Sequence, residues 1–146
     1  MTDLYAYSCD DARQIFERHY GQYADAAPLP GERDQNFRMR TPDGHGFILK
    51  IYSPDTDAEW LDAQDQLLAV LEETASDIPV PRLHANKHGQ ATFTVTDPLG
   101  RSRAVRCLTW LQGRLWSQAQ SEQQLDFTQI GGLMGRLDRV IADFDH

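Results

Sequence analysis

The stretch between Gly31 and Lys50 constrains this chain more than any other. It reads G-E-R-D-Q-N-F, a short alternating run, the turn Pro42-Asp43-Gly44, and then F-I-L-K-I-Y. Alternation over 36–40 puts Phe37 and Met39 on one face, and the return arm over 47–52 carries Lys50. Two alternating runs around such a turn predict a β-hairpin. The flanks of Lys50, Leu49 and Ile51, then point to the opposite face of the sheet. In this layout a loop made of Gly31, Glu32, Arg33, Asp34, Gln35 and Asn36 sits over Lys50. Backbone N–H groups of a loop bind anions without many glycines, so loop and ammonium together suit a set of phosphates.

Local rules place the other elements. Ser8 caps a helix whose first turn holds Asp10 and Asp11, where the helix dipole favours acids, and Gly21 stops it. Ala12, Ile15, Phe16 and His19 recur at helical spacing. A-A-P-L-P-G then predicts an extended connector, because prolines bias their predecessors away from helix. A long helix is expected over 56–74, with Trp60, Leu61, Leu67, Leu68 and Leu71 as its core face. Ile78-Pro79-Val80-Pro81 reads as a stiff link. Further strands are expected over 82–86, 91–96 and 103–110, separated by turns at 86–89 and 97–100.

The sum is an α+β layer arrangement: an antiparallel sheet of about five strands, one long inserted helix, and a helix at each end. The C-terminal helix is expected over 121–144, with an apolar stripe of Ile130, Leu133, Met134, Leu137, Val140, Ile141 and Phe144. Gly131, Gly132 and Gly135 are costly in a helix interior and predict close contact with another element. The stripe needs cover: further chain, the sheet itself, or a second copy in a homodimer.

Charge narrows the partners. Fourteen Lys and Arg against 22 Asp and Glu give a net charge of −8, which disfavours sequence-independent nucleic-acid binding. Against that acidity, Arg33, Arg38, Arg40 and Lys50 gather in one short region. No apolar run is long enough for a membrane span, and the N-terminus lacks the pattern of a secretion signal, so a cytoplasmic location is expected. Cys9 and Cys107 form no disulfide or metal framework and read as reduced, structural thiols. His19, His45, His84 and His88 have no zinc-ligand spacing, and no serine sits in a nucleophile elbow.

Five runs carry a resemblance: L-P-G-E-R-D-Q-N-F, F-I-L-K-I, L-D-A-Q-D-Q-L-L-A-V-L, I-P-V-P-R and V-R-C-L-T-W-L-Q-G. In this order and spacing they resemble aminoglycoside phosphotransferase and choline kinase-like small-molecule kinases, with the closest look to the hydroxylysine-kinase branch. Similar lobes also occur at the N-terminus of long proteins fused to a class III, pyridoxal-phosphate-dependent aminotransferase. The resemblance implies a kinase-like N-terminal lobe over 1–112, followed over 113–146 by the hinge and first helix of a truncated C-terminal lobe.

It also implies roles. Lys50 would contact the nucleotide's α- and β-phosphates beneath the 31–36 loop. Gln64 falls where kinases commonly place the glutamate that holds this lysine, with Glu59 and Asp62 nearby on the same helix. Leu108 and Trp110 would lie at the hinge beside the purine, Trp110 either lining the pocket or belonging to the core. The ligand would be ATP or GTP with magnesium, the magnesium ligands lying outside this chain. The acceptor would be a small-molecule hydroxyl. No segment matches the family's His-x-Asp catalytic loop or its magnesium-binding aspartate motif, so this chain alone is expected not to transfer phosphate. Two other readings stay open: a degenerate kinase-like regulatory or partner-binding module on an aminotransferase, and an unrelated α+β domain.

Overall fold

Alternation and turns build the framework. In the computed structural model, residues 5–114, 127–142 and 144 are described. Helix α1 (Cys9–Tyr20) leads into strands β1 (Asp25–Leu29), β2 (Gln35–Arg40) and β3 (Gly46–Ile51). Helix α2 (Ala58–Thr74), strands β4 (Thr92–Thr96) and β5 (Ser102–Thr109), and helix α3 (Phe127–Ile141) follow. The five strands form one antiparallel sheet in the order β1-β2-β3-β5-β4. The architecture is α+β, as expected.

One face of the sheet makes the main core. Phe37, Met39, Phe47, Leu49, Ile51, Phe93, Val105 and Cys107 pack against Ala12, Phe16 and Tyr20 of α1. Phe16 is fully buried, and truncating such a residue to alanine costs about 3–5 kcal/mol. Helix α1 begins at a reciprocal cap: Ser8 Oγ accepts from Asp11 N at 3.1 Å, and Ser8 N donates to the Asp11 carboxylate at 2.8 Å. It ends at Gly21 with φ +70°. Helix α2 lies over the opposite face. The inner strand β5 is therefore covered on both sides, and its residues 105–108 are all buried.

The five strands are not all the expected ones. The segment expected as a connector forms β1, in register from Asp25↔Arg40 to Leu29↔Asn36. Pro28 is tolerated because β1 is an edge strand, where a missing N–H breaks no inner ladder. The segment 82–86, expected as a strand, makes one isolated bridge, Leu83↔Leu108. Strand β4 already pairs with β5 up to Arg106, so only the last residues of β5 remain open along that edge. Thr109 N donates to Arg82 O and His84 N to Cys107 O, each at 2.9 Å, and then the chain turns away.

Two further expectations are corrected. Trp60 is 54% exposed, because the buried side of α2 runs through Leu61 and Leu71, about 100° per residue around the helix. Among the described residues, a Cβ at Gly131, Gly132 or Gly135 of α3 would have no neighbour within 4 Å, so these glycines mark no close contact there. Contact comes from the leucine side instead. Leu133, Leu137, Val140 and Ile141 pack on the cluster of Leu71, Ala75 and Ile78, so α3 seats on the end of α2 and not on the sheet. The expected start of this helix, residues 121–126, lies outside the described residues.

Candidate nucleotide-facing site

The sheet face opposite the main core is organised in rows across the strands. Asn36, Lys50 and Arg106 stand directly opposite one another, with Thr92 beyond Arg106. The next row is Arg38, Ile48 and Leu108. A third holds Arg40 and Gly46, and Trp110 N donates to Gly46 O at 3.0 Å. Period-two alternation alone assembles these side chains, because their neighbours Phe37, Leu49 and Cys107 face α1. One row is polar and the next largely aliphatic.

Lys50 reaches the loop between β1 and β2. Its Nζ lies 3.7 Å from Asp34 Oδ2, with both side chains about three-quarters buried (27% and 22% exposed). The same ammonium stands 5.1 Å from the centre of the Tyr52 ring. Asp34 Oδ1 also accepts from Ser53 N at 3.3 Å, and Arg33 pairs with Asp55 at 2.8 Å on the surface. These contacts tie the loop to the segment after β3. Gly31 makes the loop tight: a Cβ there would lie 2.6 Å from Asn36 Nδ2 and closer still to the Asp34 carbonyl oxygen. Asn36 Nδ2 donates to Pro30 O at 3.3 Å.

The expected site residues divide. Lys50, Asp34, Asn36 and Gly31 come together, and Leu108 and Trp110 share their face of the sheet. Glu32 and Arg33 are exposed on the loop's outer side. Gln35 turns the other way: its side chain accepts from Tyr7 N at 2.6 Å and donates to Tyr5 O at 2.8 Å. Gln64 does not hold Lys50. Its Oε1 accepts from Arg106 Nη2 at 2.8 Å. The Trp110 ring is half-buried and carries the Arg38 guanidinium 4.3 Å from its centre.

Sequence reasoning missed Arg106. It is 2% exposed, bonds Asp65 Oδ1 through Nη1 at 2.6 Å, and donates to the Tyr52 hydroxyl and Gln64 through Nη2. Asp65 also accepts from Thr92 Oγ1 at 2.5 Å. Burial, opposed by the Arg106 charge, pushes the Tyr52 hydroxyl up to about 12. The available signal was an arginine flanked by apolar residues in β5 (V-R-C-L), since a buried charge must be paired.

Among the described residues no group of three or more His, Cys, Asp or Glu is placed to hold a metal ion. A crevice of about 860 Å³ lies between α1 and β4, bordered by Tyr5, Tyr7, Asp11, Arg18 and Thr96. It is lined by neither Lys50 nor the loop above it. Lys50, where a loop and a cation converge, is the candidate site, because volume alone names no chemistry. Among the described residues no helix is long and apolar enough to cross a membrane.

This geometry is that of a kinase-like N-terminal lobe, and comparison with known proteins agrees. Residues 25–146 match the phosphotransferase enzyme family, APH, and the chain belongs to that family. Its fold is similar to that of an amicoumacin kinase, hAmiN, solved in complex with AMP-PNP, Ca2+ and Ami. That match has a TM-score of 0.76 and 17% identity, and covers 96% of this chain and 42% of the other. A microcompartment-associated aminopropanol kinase is similar at TM-score 0.65 and 22% identity, covering 93% of this chain and 40% of the other. The chain thus spans about two-fifths of the length of either structure. No curated protein sequence matches it.

Proposed function

We propose that this chain is the nucleotide-binding lobe of a phosphotransferase that moves the γ-phosphate of ATP or GTP to a hydroxyl of a small molecule. The observation that carries this reading is Lys50, held on the sheet face opposite the main core with its ammonium 3.7 Å from Asp34 of the β1–β2 loop. A phosphate chain would exchange the single Asp34 contact for charge-assisted bonds from Lys50 and from loop N–H groups. Ile48, half-buried one row further on, offers an aliphatic surface for a purine, and the chain near Trp110 offers backbone groups to its edge. Family membership and the AMP-PNP in the amicoumacin kinase complex support this reading. The magnesium ligands, catalytic aspartate and acceptor pocket would belong to a C-terminal lobe whose first helix is α3. The division at 112 and 113, a cytoplasmic location, membership of the hydroxylysine-kinase branch, and fusion to an aminotransferase are parts of the same proposal.

Calorimetric titration of the protein with AMP-PNP and magnesium, and with a GTP analogue, tests it. Wild type should bind one of them, and Lys50→Ala should weaken binding roughly tenfold to a hundredfold, the worth of a charge-assisted hydrogen bond. Equal affinity in both proteins, or no binding of either nucleotide to the full-length protein, would overturn it.

A second reading has one observation in its favour. Gln64 brings no charge to Lys50 and is bonded to Arg106, as suits a lobe that binds without catalysis. In that case the full-length protein would bind nucleotide or a partner yet leave the γ-phosphate unhydrolysed and untransferred. Phosphate transfer to any amino-alcohol or sugar hydroxyl in a substrate screen would exclude it.

A further inference from the structure

We infer that Arg106 is a positioning residue that reserves Lys50 for the β1–β2 loop by satisfying the polar groups of helix α2. The purpose of this device rests on the nucleotide reading, but its test does not.

Lys50 and Arg106 stand directly opposite each other on β3 and β5, on one face. Such antiparallel neighbours have Cβ atoms about 5 Å apart, so two cations compete for the same carboxylates. Two carboxylates bear on this row: Asp34 from the loop, and Asp65 from the helix. An ammonium is a compact point charge and goes to whichever is free. Arg106 decides the matter with its planar fork. Nη1 takes Asp65 at 2.6 Å, and Nη2 takes Gln64 at 2.8 Å together with the Tyr52 hydroxyl. Thr92 Oγ1 bonds the second oxygen of Asp65. The helix carboxylate is thereby engaged through both oxygens, and Lys50 is left with Asp34 and the face of Tyr52. Arg106 also fixes that ring, because it holds the Tyr52 hydroxyl. The helix is thus docked to the sheet by β5, and Lys50 is left to the loop.

Removing the guanidinium should hand Asp65 to Lys50. The readout is acylation of Lys50 by an amine-selective reagent, followed by mass spectrometry on the intact chain without ligand. The reagent reaches only an amine that is not engaged, and a second carboxylate partner engages the Lys50 side chain with charge-assisted hydrogen bonds. In Arg106→Met, Lys50 should therefore acylate roughly tenfold more slowly than in wild type. Adding Asp65→Asn to that variant should restore the rate to within about twofold, because the competing carboxylate is gone. Arg106→Lys should keep the wild-type rate. A purely structural role for Arg106 would loosen the site, speed acylation, and show no rescue by Asp65→Asn. Should Arg106→Met not fold, Arg106→Gln keeps amide donors for Tyr52 and Gln64 and gives the same readout. Unchanged or faster acylation in a folded Arg106 variant overturns the inference. Failure of the nucleotide reading shows separately, as absence of AMP-PNP and GTP-analogue binding to wild type with these acylation rates intact.

Discussion

Gly46 and Trp110 approach so closely that a Cβ on the glycine would lie 2.9 Å from Trp110 Cβ and 3.2 Å from its ring. Their backbones are joined as well, since Trp110 N donates to Gly46 O at 3.0 Å. The absent side chain lets the chain leaving β5 hug β3, and it sets the Trp110 ring where Arg38 stacks on it. Gly46→Ala should therefore push Trp110 away and cost about 1–3 kcal/mol, as small-to-large changes in packed sites do. Gly113→Ala is the control, because a Cβ there meets nothing within 4 Å. Urea denaturation of both variants checks this, and equal midpoints would contradict the packing described.

Arg82 closes the C-terminus of α2 from outside the helix. Its Nη2 donates to the carbonyls of Ile78 at 2.8 Å, Ala75 at 3.1 Å and Ser76 at 3.2 Å. The last turn of α2 contains no basic residue, so this guanidinium, held on carbonyls just past the helix end, supplies the cation that the helix dipole favours. Arg82→Met should lower stability by about 1.5–3 kcal/mol, the net worth of hydrogen bonds from a charged donor. Arg82→Lys should recover part of it, with one compact donor in place of a fork. Thermal melts of the three proteins rank them, and an Arg82→Met variant as stable as wild type would remove the clamp.

Much of this was legible in the chain, for local reasons. The Ser8 cap, the Gly21 stop and the Lys50 arm of the hairpin each depend on residues a few positions apart. The same locality misled at β1, where Pro28 argued against a strand that an edge position permits. It misled at Trp60, which shares the helix with Leu61 and Leu71 but not their direction. The clamp on Gln64 and Asp65 was beyond local rules, because Arg106 lies 42 and 41 residues away from them. Gln64 had been matched to a lysine partner by position, yet partners on a sheet face are set by cross-strand register. One slip of that register would have put Arg106 on the other face.

Two half-buried imidazoles should make the fold sensitive to mild acid. His84 stacks between Phe47 at 4.5 Å and Tyr20 at 5.4 Å, and His19 on Phe93 at 4.2 Å. Burial holds both below their ordinary value of 6.5, and for His19 the charge of Arg18 adds to it. Below pH 6.5 the unfolded chain binds protons that the folded one refuses, so stability rises with pH and falls as pH drops from about 6.5 toward 5. Paired carboxylates act in a lower window. Asp11 is held below its ordinary 3.8, its own desolvation being outweighed by hydrogen bonds from Ser8. The melting temperature should accordingly fall between pH 7 and 5, and His84→Phe should flatten that slope. Parallel pH profiles for wild type and His84→Phe would show that the imidazole does not titrate against folding.

Helix α3 divides its apolar residues between a seat and an open edge. Leu133 and Leu137 pack on Leu71, Ala75 and Ile78 of the α2 end, while Met134 is 52% exposed and Phe127 71% exposed. An ion pair between Arg136 and Asp77 joins the same two regions, but it is exposed and contributes little. Seating therefore rests on the leucines. Leu137→Asp should unseat α3, because a carboxylate against that cluster has no partner and its burial costs several kcal/mol. Met134→Asp, one residue inside the same stripe but facing outward, should leave α3 in place. Hydrogen exchange reads the difference directly. Amides of 130–140 should lose protection in Leu137→Asp and keep it in Met134→Asp, while the β2–β3 ladder stays protected in both, since its core is the separate cluster around Phe16. Equal loss of protection in the two variants would mean that α3 is held by something other than the face it presents to α2.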